Sequence, residues 1–217
     1  MGMLQKIEEA LHFIVDQAIR NMKEAKWPDE SSYRELGKSH FGVLKIRGRI
    51  RKIDVENFDE YKQLRKIIFP ASLEEIDDYT IDDQMNLEEL DFSRVKKLKV
   101  IPQFMVCCKT KISKFVIPQG VTTVGDFFLS EANAETKIYV PESVKKMGCI
   151  SGNNDNDLIV YLFAHNLDIE EMEQDIKTLY VLPQDFAAYA QQLKDCDSEA
   201  QLCEMPKEAM NVYPLIL

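Results

Sequence analysis

One phrase recurs along this chain. It runs apolar, any residue, apolar, proline, with further apolar residues three and six places after the proline. It appears as IIFPASLEEI around Pro70, with Leu73 and Ile76, and as FVIPQGVTTV around Pro118, with Val121 and Val124. It returns as IYVPESVKKM around Pro141, with Val144 and Met147, and as YVLPQDFAAY around Pro183, with Phe186 and Tyr189. The frame fits without proline at LKIRGRIRKI, where Arg47 is the corner. It fits loosely at LDFSRVKKL, with Ser93 as corner and the later apolar residues one place early. LIVYLFAHNL (corner Tyr161) and CEMPKEAMNV (corner Pro206) are weaker copies. The corners fall 20 to 25 residues apart, most of them 23. So steady a period predicts stacked coils.

Each part of the phrase has a physical reading. The apolar–x–apolar triplet is a short strand whose alternate side chains share a face. Proline fixes φ and gives no amide to a ladder, so it ends the strand at a corner. A spacing of three does not suit a strand, whose period is two; it predicts a 3₁₀ or polyproline path after the corner. Apolar residues beyond it, Phe127 and Leu129 in one unit and Phe104 with Cys107 or Cys108 in another, are expected to fill the back of the coil. One such unit buries too little to offset the entropy of ordering it. Neighbours must share burial and ladder hydrogen bonds, which is the logic of a solenoid.

FVIPQGVTTVGDFF, IYVPESVKKMG and IIFPASLEEID resemble the BspA-like leucine-rich repeat, whose period the spacing near 23 also fits. Gly125 and Gly148 match its glycine, Asp77 stands there in the earlier unit, and Cys107 or Cys108 matches a cysteine or asparagine further along. The resemblance spans roughly residues 64 to 190. It implies a binding scaffold, and adhesion of the kind found on host-associated microbes. The expected fold is an α/β repeat: a leucine-rich-repeat-type solenoid with a short-stranded parallel sheet and an N-terminal helical cap. Residues 1–40 would form the cap. Residues 41–217 would form about six or seven turns, including a C-terminal cap.

The cap is read from Leu4, Ile7, Leu11, Ile14, Ala18 and Met22, which recur at helical spacing before Trp27–Pro28. A helix there would cover the solenoid's open edge. The apolar ending VYPLIL is expected to pack on the last turn.

Composition narrows the function. A charged fraction of 29% with 45% apolar residues marks a folded chain. A net charge of −10 argues against nucleic acid and anionic membranes. No apolar run is long enough for a membrane span, and no leader is apparent. The chain as it stands therefore reads as cytoplasmic, or as surface-bound or secreted if a signal peptide is missing. The five cysteines show no C-x-x-C and read as reduced thiols. His12, His40 and His165 are dispersed and lack metal-ligand spacing. Asn153, Asp155 and Asp157 alternate as in a calcium loop, but Leu158 and Ala164 stand where that loop needs glycine and glutamate. No phosphate-cradling or nucleophile motif occurs, and the pairs Asp77–Asp78 and Asp82–Asp83 read as solvated connectors. The expectation is a non-catalytic protein without metal or cofactor.

The strand face is where a partner would bind. With the middle residue of each triplet pointing out, one row reads Lys45, Ile68, Asp91, Val116, Tyr139, Ile159 and Val181. Two places earlier lie Val43, Lys66, Glu89, Lys114, Lys137, Asp157 and Leu179. An exposed apolar ribbon flanked by lysines predicts a protein or peptide site at Lys66, Ile68, Lys114, Val116, Lys137, Tyr139, Ile159 and Val181. The alternative is an assembly protein that homo-oligomerises through its N-terminal helix or apolar tail.

Overall fold

The computed structural model describes residues 42–46, 50–53, 64–82, 84–133, 135–151, 158–169 and 175–212. The expected N-terminal helical cap, the Asn153–Asp157 stretch and the tail from residue 213 lie outside the described residues.

Each of the first coils carries one strand before its corner and a two-residue strand after it. These are β1 (Val43–Lys45) with β2 (Lys52–Ile53), β3 (Lys66–Ile68) with β4 (Glu75–Ile76), and β5 (Glu89–Asp91) with β6 (Val100–Ile101). Then come β7 (Lys114–Val116) with β8 (Thr123–Val124), and β9 (Lys137–Val140) with β10 (Lys146–Met147). The chain continues as β11 (Leu158–Leu162), β12 (Ile176–Val181), helix α1 (Phe186–Asp195), β13 (Gln201–Glu204) and helix α2 (Lys207–Val212). Strands stack in parallel: β1–β3–β5 and β7–β9–β11–β12–β13 on one side, β2–β4 and β6–β8–β10 on the next. The result is a parallel solenoid of about six coils, extended by two strand–helix units. No ladder joins β5 to β7.

The three-residue rhythm resolves into two different structures. Its first step is a tight turn, in which the carbonyls of Pro70, Pro118 and Pro141 accept from the amides of Leu73, Val121 and Val144 at 3.1, 3.2 and 3.1 Å. Its second step is a strand, not a continued 3₁₀ or polyproline path. The amides of Thr122 and Thr123 donate to Lys99 of the coil before, at 2.8 and 3.2 Å, and draw Val124 into a ladder. Inter-coil pairing outweighs local spacing because each coil lies at ladder distance from the next. The Ser93 coil turns one residue early, with Val95 donating to Phe92, and then makes one extra apolar step through Leu98 to Ile101. That step accounts for the longer interval to Pro118.

After Pro183 the same spacing belongs to a helix. Phe186, Tyr189 and Leu193 form one stripe of α1, and Tyr189 and Leu193 are buried. Alanine and glutamine fill most of the other positions, which favours the helix. The Tyr189 hydroxyl donates to the Ala164 carbonyl at 2.8 Å and accepts from the Leu167 amide at 3.1 Å, tying α1 to the coil before it.

The core is a column. Phe69, Leu73, Ile76 and Ile81 lie beneath Phe92, Val95, Ile101 and Val106, then Ile117, Val121, Val124 and Leu129. Phe69 stacks on Phe92 at 4.2 Å, and Phe92 meets the edge of Phe115 at 6.0 Å. Single-residue bridges join Ile81, Val106 and Leu129 on the third side. The back is filled by Met105, Val106, Phe128 and Leu129. Phe104 and Phe127, expected there, instead stand half-buried outside it. Both adopt left-handed backbones, as does Tyr79. Such a backbone costs an L-residue about 1–2 kcal/mol. Stacking along the column Tyr79–Phe104–Phe127, at 5.0 and 5.2 Å, offsets part of that cost.

Candidate functional site

The outer face of the long strands carries three parallel rows in its C-terminal half. Along the strand starts run Lys114, Lys137, Ile159 and Thr178, joined in register. Next come Val116, Tyr139, Tyr161 and Tyr180, also in register. Beyond the strand ends, Phe163, Leu182 and Met205 form a second hydrophobic cluster with Tyr139 and Ala209 of α2. This cluster lies outside the main core and walls one side of the tyrosine row.

The tyrosines stack on one another. Tyr139 and Tyr161 have centroids 4.6 Å apart and planes 6° from parallel; Tyr161 and Tyr180 stand at 4.9 Å and 11°. The Lys114 ammonium lies 5.0 Å from the Tyr139 ring centroid. Parallel pairing sets this geometry, because residues in register across strands lie ~4.8 Å apart. Three tyrosines in register must therefore stack or splay.

Burial raises the pKa of Tyr139 and Tyr161, and the neighbouring tyrosine adds to it in each case. Burial likewise pushes Tyr189 up to about 12. Folding thus favours the protonated phenols. Their contribution is fully present below the unfolded value of about 10 and is lost as pH rises through the folded values. Titration by tyrosinate absorbance is expected to show a late class, with far-UV circular dichroism collapsing in the same interval. A single transition at the ordinary tyrosine pKa with the fold intact would contradict this.

Lysines on this face have different surroundings. Lys66 meets Glu89 at 2.6 Å and Asp91 at 3.3 Å. The Glu89 hydrogen bond raises its pKa, with burial opposing. Burial alone would raise Asp91, but hydrogen bonds from Ser93 and Lys66 outweigh it and hold the carboxyl low. Arg65 pairs with Glu88 at 2.8 Å beside them.

Of the eight residues expected at the site, Lys66, Ile68, Lys114, Val116 and Lys137 lie on the outer face and are exposed or half-exposed. Tyr139 lies there too, but it is buried beneath its neighbours. Ile159 stands in the lysine row, partnered with Lys137, not in the tyrosine row. Val181 points inward and is fully buried, as does Leu179 of the expected second row. Two frames had slipped. LIVYLF has no proline to mark its corner. In the Pro183 unit the proline comes one residue late, and Leu182 takes the turn role that Pro141 plays earlier, accepting from Asp185 at 2.9 Å. Tyr161 and Tyr180 were missed for that reason. Their signal was the alternation Ile159–Tyr161 and Thr178–Tyr180.

Other reactive groups are engaged structurally. His165 Nδ1 lies 2.7 Å from Asp185 Oδ2 at the start of α1. The five cysteines are half-buried and none is in a disulfide; Cys107 is pushed up to about 12, by burial first and then by Asp82. Asp77 binds Lys52 at 2.9 Å and Asp78 accepts from Gln103 at 2.8 Å, so these connector carboxylates bridge coils. No group of three or more metal-binding side chains occurs among the described residues. No described helix is long and apolar enough to cross a membrane.

The BspA-type leucine-rich repeat region matches residues 30–156 in six copies. No curated protein and no solved structure matches significantly. The repeat match ends before β11, so Tyr139 lies within it and Tyr161 and Tyr180 beyond it. Proteins with this repeat are usually non-catalytic scaffolds for protein interaction or adhesion, often surface-bound or secreted. With more than half of its length matched and its coils stacked in parallel, the chain belongs to the BspA-type leucine-rich repeat family.

Proposed function

We propose that this chain is a non-catalytic scaffold that binds a protein or peptide on the outer face of its long strands. The site is the ridge of Val116, Tyr139, Tyr161 and Tyr180, with Lys114, Lys137 and Ile159 along its open side. Lys66 and Ile68 lie on the same face nearer the N-terminus. The observation that carries this reading is the stacked tyrosine ridge, walled on one side and open on the other. Tyrosine at the centre of an interface offers large area at low entropy cost and a polar edge for hydrogen bonds. Tyr139 is packed into the second hydrophobic cluster, while Tyr161 and Tyr180 keep part of their surface exposed on the side of the sheet away from the main core.

Tyr161 and Tyr180 can be tested without dismantling the stack at its buried end. Pull-downs from extracts of the source cells would compare wild type, Tyr161→Ala/Tyr180→Ala, and Lys146→Ala on the neighbouring face, each checked by thermal melting. Partner recovery is expected to fall about tenfold with the ridge variant, as for interface anchors, and to persist with Lys146→Ala. Equal recovery by all three would overturn the reading.

A further inference from the structure

We propose that the ridge takes an extended acidic stretch of polypeptide, with carboxylates over Lys114 and Lys137 and apolar side chains against Tyr161 and Tyr180. This rests on the strand-face reading above and narrows it.

Charge is the first ground. The whole chain carries −10, yet residues 92–150 hold ten lysines and arginines against four aspartates and glutamates. On the N-terminal part of the face, positive groups find acids within the fold: Arg65 has Glu88, and Lys66 has Glu89 and Asp91. Lys114 and Lys137 do not. They are direct register partners on β7 and β9, and no described acidic side chain stands within ion-pair distance of either. Like charges facing each other across strands destabilise a sheet. In the first coils two strand lysines, Lys52 and Lys66, meet an acid one coil on, Glu75 and Glu89. Here that counter-charge is left to come from outside.

Ring geometry is the second ground, and it favours polypeptide over nucleic acid. Nucleobases bind aromatic side chains by their faces. The ridge tyrosines have largely used their faces on each other, at 4.6 and 4.9 Å. What remains is a row of ring edges and hydroxyls. Aliphatic side chains can lie across the edges, and backbone amides and carbonyls can meet the hydroxyls.

The ridge also sets a length and an approach. Four register positions at ~4.8 Å span roughly 14 Å, which is about four residues of extended chain. Phe163, Leu182, Met205 and Ala209 close one side. The lysine row leaves the other side open, so the acidic end of the occupant meets Lys114 and Lys137 first.

A random short-peptide library on phage, panned against the full chain, tests this. Selected peptides are expected to place aspartate or glutamate beside leucine, isoleucine or an aromatic residue. As synthetic peptides they should bind about tenfold more weakly to Lys114→Glu/Lys137→Glu and weaken with added salt. Both lysines are exposed, so melting curves should show the variant folded. Neutral or basic selections, or equal binding to the charge-reversed variant, would overturn the acidic occupant. If such peptides still lost affinity with Tyr161→Ala/Tyr180→Ala, the strand-face reading would survive alone. Peptides indifferent to both variants would end both. Lysine-dependent binding of oligothymidylate without selection of acidic peptides would also overturn the proposal, in favour of single-stranded nucleic acid.

Discussion

Gly125→Ala is expected to destabilise the solenoid by about 3 kcal/mol, the upper end of what overpacking costs. A β-carbon at Gly125 would lie 2.5 Å from the Gln103 nitrogen and 2.9 Å from its α-carbon, with the Pro102 carbonyl carbon at 3.0 Å. All three are backbone atoms of the coil below, so no side-chain rotation relieves the contact. The coils must part instead, and the Gly125 amide would lose its 2.8 Å bond to the Ile101 carbonyl. Gly148 occupies the same place one coil later, but its added carbon would meet chiefly the Asp126 carboxylate, with the nearest backbone atom, the Asp126 nitrogen, at a milder 3.2 Å. That side chain can rotate away, giving up its 3.2 Å bond from the Cys149 amide. Gly148→Ala should therefore cost less, about 1 kcal/mol. Denaturant melts of the two variants would check the order. Equal destabilisation would show that backbone contact between coils is not what requires glycine.

Phe115→Ala is expected to cost about 3–5 kcal/mol, or a fall in Tm of roughly 6–20 °C. Phe115 is 1% exposed and touches the rings of Phe92 and Phe128, at 6.0 and 5.3 Å. Its position makes the loss worse. Between β5 and β7 no strand ladder runs, and the Lys111 amide reaches the Leu87 carbonyl at 2.7 Å near the junction. Packing around Phe92 and Phe115 therefore does there what hydrogen bonds do elsewhere. Thermal melts monitored by circular dichroism should show one lowered transition, or two if the halves come apart. A change below about 1 kcal/mol, the scale of ordinary surface substitutions, would mean the junction is held by something other than this ring.

The coil was legible wherever a proline marked the corner. At Pro70, Pro118 and Pro141 the apolar pair before the corner and the residues three and six places after it all face inward as the spacing places them, whereas Phe127, further along its coil, does not. Legibility failed where a frame had no marker or a displaced one. The unbroken run Leu158–Phe163 hides its register, and the late Pro183 shifts the apparent frame by one, so that spacing alone places the buried Val181 on the surface. The two-residue strands were illegible for another reason. They exist only because a neighbouring coil supplies partners, and no local propensity encodes them. Tyr139 shows the same limit: its outward position followed from alternation, but its burial depends on Phe163 and Met205, which arrive from later coils.

The cross-coil ion pairs have a consequence for how such a chain can change length. Lys52, Arg65 and Lys66 each meet an acid 23 positions further on. Losing or gaining a single residue inside a strand would break every such match that spans it. Adding a complete coil breaks none, and the new strand would join rows already present. The surplus residues after Phe92 mark the other tolerated place, a corner, where slack is taken up before the next strand begins. Duplication of whole coils is thus the route by which this architecture can acquire more binding surface while its interior stays the same.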